Sequence, residues 1–285
     1  MKNFNQDIRS KLSRLNVFEK IIVVNFIIYV FTSTILRFQG FGMGLEWMSL
    51  SKSASNVISK PWTLITYGFT HYSFSHLFFN MLVLYFLGRS FSNLFKSDLS
   101  LKLYLLGILS GGLAFVFVYN VFPSGILNTV GPLVGASAGV RAVIIFLCAY
   151  FPAKEVHLLT FKFPLRYIGI ALVVLDIIGL FSQNSGGIIA HFGGYIIGYY
   201  YAVQFQKGID VGEFVNKFTR FFSFPSFNLK TVYKKNNSSL AGKKKKEFDS
   251  FTRQKQIDLI LDKISKSGYE SLTQLEKDFL FRAGK

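Results

Sequence analysis

Six apolar runs, separated by polar or glycine-rich stretches, organise the first 205 residues. A helix crossing a bilayer core needs about 20 predominantly apolar residues. The runs lie at about Phe18 to Leu36, from His71 or His76 to Phe91, Leu101 to Val121, Ser137 to Phe151, Pro164 to Phe181 and Ile188 to Phe205. Pro152 stops the fourth. Residues 37 to 66 are too interrupted for a span but carry Glu46, Trp47, Met48, Pro61 and Trp62, and the rings suit the outer membrane interface. The pattern predicts an all-α polytopic membrane protein with six transmembrane helices.

Charge gives the orientation. Lys2, Arg9, Lys11 and Arg14 precede the first run; Arg89, Lys96 and Lys102 follow the second; Lys154, Lys162 and Arg166 follow the fourth. The loops at 123–129 and 182–187 carry no charge. Basic loops stay on the cytoplasmic side, so both termini are expected there. Residues 1–17 form an N-terminal arm without the apolar core and cleavage site of a removable signal peptide. Lys plus Arg outnumber Asp plus Glu by 32 to 15. This excess lies at the termini and in alternate loops, which argues for membrane orientation and against nucleic-acid binding.

After residue 205 the composition turns polar and basic. Residues 206–253, with Asn236 to Ser239 and Lys243 to Lys246, read as a flexible linker whose lysines meet anionic lipid. Residues 254–285 read as a small helical hairpin. Ile257, Leu261 and Ile264 repeat at helical spacing, Gly268 is a stop, and Thr273 with Glu276 forms a capping box. A solvated tail that folds only on a partner or on the membrane fits the same residues.

Candidate chemistry centres on Ser137. It opens the fourth run among Gly135, Ala136, Ala138 and Gly139. Small neighbours permit close approach, and a helix start offers free N–H donors for a developing negative charge. Taken alone, the stretch better fits a packing face between membrane helices. Depth adds to it: counted inward at about 1.5 Å per residue, Ser137, His191 at the start of the sixth run, and His76 and Asn80 in the second share the outer leaflet. Polar groups at that depth face the bundle interior or a wet cavity. His191 can act as base to Ser137, and His76 and Asn80 as oxyanion donors. A metal site from His71, His76 and His191 lacks an acidic ligand, and single Cys148 supports neither a disulfide nor a thiolate cluster. No cofactor or metal is expected. Gly135 to Gly139 also spells the elbow of an α/β-hydrolase, but no strand precedes it, and the halves show no broken-helix symmetry of a transporter.

These motifs resemble the rhomboid intramembrane serine proteases over about residues 18 to 205. His71, His76 and Asn80 match the second-span pattern, Gly135-Ala136-Ser137 the nucleophile motif, and Ala190-His191 with Gly194 and Gly198 the sixth-span motif. The resemblance implies a six-helix rhomboid bundle in which Ser137 is nucleophile and His191 base. It further implies that His76 and Asn80 line the oxyanion site with support from His71 and Gly135, and that Gly194 and Gly198 bring spans four and six together. The tail resembles those of some bacterial rhomboids. Thr63 stands where an arginine often follows the tryptophan, and Ala138 where glycine usually follows the serine. Arg141 occupies a place often held by a ring stacked on the histidine. Asp176 lies at a similar depth, and a pair between Arg141 and Asp176 is expected to replace that ring; Asp176 is not expected as a third catalytic member, since the resemblance implies a dyad. The expected function is endopeptidase action within or beside transmembrane segments of other proteins, from an inner (cell) membrane with the site opening to the non-cytoplasmic side. A catalytically silent scaffold for membrane clients is the alternative.

Overall fold

The computed structural model describes residues 10–39, 45–122, 131–158, 161–180, 182, 184–216 and 257–283. The start of the N-terminal arm, the uncharged loop at 123–129 and the Asn- and Lys-rich parts of the linker lie outside these residues. The chain divides into two compact units, Met1–Phe224 and Pro225–Lys285.

Besides short helical stretches at 10–14 and 213–216, the helices among the described residues of the first unit are α1 (Val17–Gln39), α2 (Ala54–Ser59), α3 (Thr63–Thr66), α4 (Phe74–Ser92), α5 (Ser97–Val121), α6 (Ser137–Tyr150), α7 (Leu165–Gly179) and α8 (Ser185–Gln206). Local chemistry sets several ends. Asn16 and Glu19 cap α1 reciprocally, each backbone N–H donating to the other side chain at 2.8 and 2.9 Å. Ser73 caps α4 by accepting the His76 N–H at 3.3 Å. Pro152 cannot continue α6, and Pro164 leads into α7 with its φ near −61°. Asn25 and Thr32 sit inside apolar α1 because their side chains donate to carbonyls one turn back, at 2.9 and 2.8 Å.

Among the described residues, the interrupted segment before α4 holds short helices, a 3-10 turn at Tyr67–Phe69 and a single β-bridge at Leu50. Trp47 and Trp62 stack there with centroids 5.7 Å apart, and the Trp62 indole donates to the Trp47 carbonyl. Thr63, in the place of the expected arginine, is buried and bonded to the Lys60 carbonyl at 2.6 Å.

Helices α5, α6 and α8 make the tightest layer. Glycines allow it: a Cβ on Gly193 would stand 2.5 Å from the Ser110 carbonyl oxygen, and one on Gly107 would stand 2.9 Å from the Gly139 Cα. Small residues of this kind let helix backbones touch where no hydrophobic drive pulls them together. Helix α1 packs on α4, and α7 rests more lightly on α6 and α8. The outward surface is apolar, with Ile27, Phe31, Phe79, Phe86, Phe117, Leu175, Ile178 and Ile196 exposed. Such a continuous apolar exterior is a lipid-facing property. By length and hydropathy taken singly, α1 and α5 suffice to cross a bilayer; α6 is shorter.

Two features depart from the sequence pattern. The basic loop after α6 folds into an antiparallel hairpin of β1 (Glu155–Leu158) and β2 (Phe161–Pro164); its four-residue strands are at the shortest length at which a period-2 alternation can be read. Residues 207–216, expected within a flexible linker, pack onto the bundle. Asp210 accepts from Lys102 at 2.5 Å and from the Tyr201 hydroxyl, Lys102 also reaches Asp98 at 3.0 Å, and Val215 is buried. The linker boundary at 206 therefore falls about ten residues early.

In the second unit, α9 (257–267), a 3-10 turn (Tyr269–Ser271) and α10 (Gln274–Ala283) follow one another. Gly268 follows α9 with φ +76° and ψ 163°, a backbone region open essentially to glycine alone. Thr273 and Glu276 exchange the two bonds of a capping box at 2.8 and 3.4 Å, and Lys263 on α9 bonds Glu276 at 2.8 Å. Ile260 and Leu272 form its buried face, whereas Leu261, expected inward, is exposed.

Candidate active site

Ser137 is the first residue of α6, and Val140 is the first whose N–H returns into the helix, to the Ala136 carbonyl at 3.1 Å. The N–H groups of Ser137, Ala138 and Gly139 thus belong to the unpaired first turn. The approach to Ser137 is held at successive residues. Leu133 pairs with Leu50, Gly135 donates to the Tyr67 carbonyl at 2.9 Å, and Ala136 donates to His71 Nε2 at 3.3 Å. Gly135 has φ +121°, and a Cβ there would stand 2.5 Å from the His76 ring. Both conditions demand glycine.

His71 is buried, and its Nδ1 has no partner among the described residues. Its ring meets that of His76 edge-on at 5.0 Å. His71 therefore shapes the loop before the serine rather than the cavity beside it. His76 and Asn80 stand one turn apart on α4, where the Asn80 amide donates to the His76 carbonyl at 2.9 Å. A cavity of about 420 Å³ opens between α4, α6 and α7, lined by His76, Asn80, Ser137, Arg141 and Leu172 among others. Ala138 does not crowd it. The methyl is buried toward α5, where Gly111 makes room: a Cβ at Gly111 would stand 2.5 Å from that methyl.

His191 reaches the site from α8. Gly194 lies against the Ala138 carbonyl and Gly198 against the Ala142 carbonyl, so α6 and α8 run parallel in constant register. His191, one turn before Gly194, is then level with the start of α6. Among the described residues, no hydrogen bond links it to the Ser137 hydroxyl; its Nδ1 instead stands 2.9 Å from Asp176 Oδ2 on α7. The same carboxylate accepts from the Tyr195 hydroxyl and, at 3.4 Å, from the Arg141 guanidinium. Arg141 also lies over the Tyr195 ring, 5.8 Å from its centroid. The expected Arg141–Asp176 pair is present, but it extends to His191 and Tyr195. The contact between Asp176 and His191 departs from the arrangement expected of a dyad. The sequence motifs do not single out Tyr195, although its spacing of four from His191 puts both on one helix face.

The four-sided arrangement makes chemical sense. A buried carboxylate survives in an apolar bundle only when paired and fully hydrogen-bonded, and three groups able to donate surround Asp176. Among the described residues, no group of three or more His, Cys, Asp or Glu side chains is placed to hold a metal ion. Cys148 is buried and packs near Gly169.

The site residues fall inside a family match. Residues 59–207, just over half of the chain, match the Rhomboid domain, and residues 243–283 match a family of unknown function (DUF6576). RHOMBOID-like protein 12, mitochondrial, of Arabidopsis thaliana is 32% identical over 158 residues, 51% of this chain and 47% of that protein. Presenilin-associated rhomboid-like protein A, mitochondrial, of Danio rerio is 33% identical over 155 residues, 53% of this chain and 39% of that protein. The chain spans less than half the length of these curated relatives. A helical bundle with an apolar exterior, a serine-bearing helix start and the domain match together show that the chain belongs to the rhomboid family.

Proposed function

We propose that the chain is an intramembrane serine endopeptidase that cleaves peptide bonds within or next to transmembrane segments of other membrane proteins. The observation that carries this reading is the cavity that brings His76 and Asn80 to the unpaired helix start at Ser137, with His191 level with it on the parallel α8. Ser137 Oγ attacks the scissile carbonyl while His191 Nε2 takes its proton. The oxyanion is met by the Ser137 N–H, His76 and the Asn80 amide, which first leaves the His76 carbonyl. His191 then protonates the leaving amine, and water admitted to the cavity hydrolyses the acyl-enzyme. Because a helix hides its carbonyls, the substrate must unwind where it enters the cavity.

In this reading α1, α4, α5, α6, α7 and α8 are the six spans, both termini are cytoplasmic, and the cavity opens toward the non-cytoplasmic side of the cell membrane. The charge pattern of the loops supports the orientation. The first unit forms the protease, and the second is a cytoplasmic appendage joined by a basic linker. The partners are transmembrane substrates and the bilayer. The lack of a Ser137–His191 hydrogen bond favours a second reading, a silent scaffold that holds membrane clients.

The test is cleavage of a quenched transmembrane peptide and labelling by a fluorophosphonate probe, comparing wild type with Ser137→Ala and His191→Ala. Turnover and labelling that vanish in both variants support the protease. Equal behaviour of all three proteins would leave the scaffold.

A further inference from the structure

We infer that Asp176 is a positioning residue for His191, turning the serine–histidine pair into a relay of three groups with Arg141 and Tyr195 as its anchors. The inference rests on the reading of Ser137 and His191 as nucleophile and base.

The geometry specifies which ring nitrogen does what. An ionised carboxylate is an acceptor only, and Asp176 stands among three groups that can donate to it: Arg141 from α6, and Tyr195 and His191 from α8. With Arg141 and Tyr195 donating, the hydrogen between Asp176 and His191 belongs to Nδ1. Nε2 is then the bare nitrogen, the state required of a base that removes the serine proton. The other tautomer would present Nε2–H and could not accept. As the Ser137 proton moves to Nε2, the imidazolium faces the Asp176 charge, and the carboxylate need not take up the proton itself. His76 is a further titratable group at the site, and its ring lies against Gly135, before Ser137, and edge-on to His71.

Arg141 and Tyr195 hold the carboxylate in place. Without them, an acid 7% exposed would have one partner, and protonation would be its easiest relief. The Arg141 contact over the Tyr195 ring joins the two anchors, so the carboxylate is approached from both neighbouring helices. A stacked ring would orient an imidazole by contact alone; a carboxylate orients it and also selects its tautomer.

The test has a chemical and a spectroscopic arm on the full chain in detergent or nanodiscs. Asp176→Asn keeps the shape but removes the charge. Peptide cleavage should fall in kcat on the order of 10²–10⁴-fold, the range of general-base assistance, with KM little changed; Asp176→Ala should fall at least as far, and Asp176→Glu should recover part of the loss. In ¹⁵N-histidine spectra at mildly alkaline pH, His191, identified by its loss in His191→Gln, should show protonated Nδ1 and bare Nε2. Asp176→Asn should mix the tautomers. If wild type cleaves nothing, the protease reading fails, and the spectra still decide the positioning role. Wild-type kcat in Asp176→Asn, or a wild-type His191 with bare Nδ1, overturns the inference. If Asp176→Asn does not fold, Arg141→Gln and the wild-type spectrum carry the same decision: unchanged kcat in Arg141→Gln together with bare Nδ1 overturns it.

Discussion

The backbone N–H of Ala136, one residue before Ser137, is held by the imidazole of His71 from 65 residues earlier in the chain. The bond anchors the turn that aims the serine, and both partners are buried. His71→Ala leaves that N–H without an acceptor, which costs about 1–3 kcal/mol for a buried group. Unfolding in mild detergent should register that loss, together with reduced peptide cleavage. His71→Gln, which offers a carbonyl acceptor, should recover part of both; a variant as poor as alanine would argue against the bond.

The glycine register between α6 and α8 is open to a volume test. Gly194→Ala drives a methyl into the Ala138 carbonyl, and overpacking of this kind costs about 1–3 kcal/mol. Gly131→Ala is the control, since nothing lies within 4 Å of its would-be Cβ. Thermal unfolding should separate the two, with Gly131→Ala close to wild type. Equal midpoints would mean that the helices have room to spare.

Lys102 should fasten residues 207–216. Its side chain is 1% exposed while Asp210 is 34% exposed, so the loss in Lys102→Met falls below that of a fully buried pair, about 1–2 kcal/mol. Hydrogen exchange after α8 should speed up, and adding Asp210→Asn should give back part of the protection. Burial works to raise the Asp210 pKa, but hydrogen bonds from Lys102 and Tyr201 hold it below the usual carboxylate range. A depressed folded-state pKa stabilises above the unfolded value, near 3.9. Protection should therefore be full at neutral pH and decline as pH drops below about 4. A protection pattern that is flat across this range would exclude Asp210 as the fastener.

In the second unit, the bond from Lys263 and the Thr273 backbone N–H lower the Glu276 pKa from 4.5 to about 2. The same sign applies. The contribution to the α9–α10 pairing is present above pH 4.5 and fades as pH falls toward 2. A carboxyl titration followed by NMR in the full chain checks the value; Glu276→Gln should remove this part of the acid sensitivity.

Much of this architecture is readable from residue order because a membrane helix must be long, apolar and stopped. Ser137 and Pro152 bracket α6 on those grounds, and the depth of Arg141 and Asp176 is enough to pair them. Depth does not give rotation about a helix axis. Whether Asp176 meets Arg141 alone or also His191 depends on how α7 turns, and α7 is apolar on most sides. Gly135 reads as a small residue, yet its reason for being glycine lies in a φ of +121° and in a histidine ring 59 residues away. Lys102 reads as a cytoplasmic marker; its partner Asp210 lies 108 residues further on, beyond any local pattern.

Ser137 and His191 sit on the close-packed pair α6 and α8, whereas Asp176 sits on the lightly seated α7, which also lines the cavity through Leu172. One helix then serves two ends. Any displacement of α7 away from α6 and α8 would draw the carboxylate from the imidazole as it widens the cavity, so under the proposed function His191 would lose its orienting partner whenever the way in is open. Under the proposed function, such an interlock would withhold cleavage from any neighbouring segment that opens the cavity without letting α7 settle back.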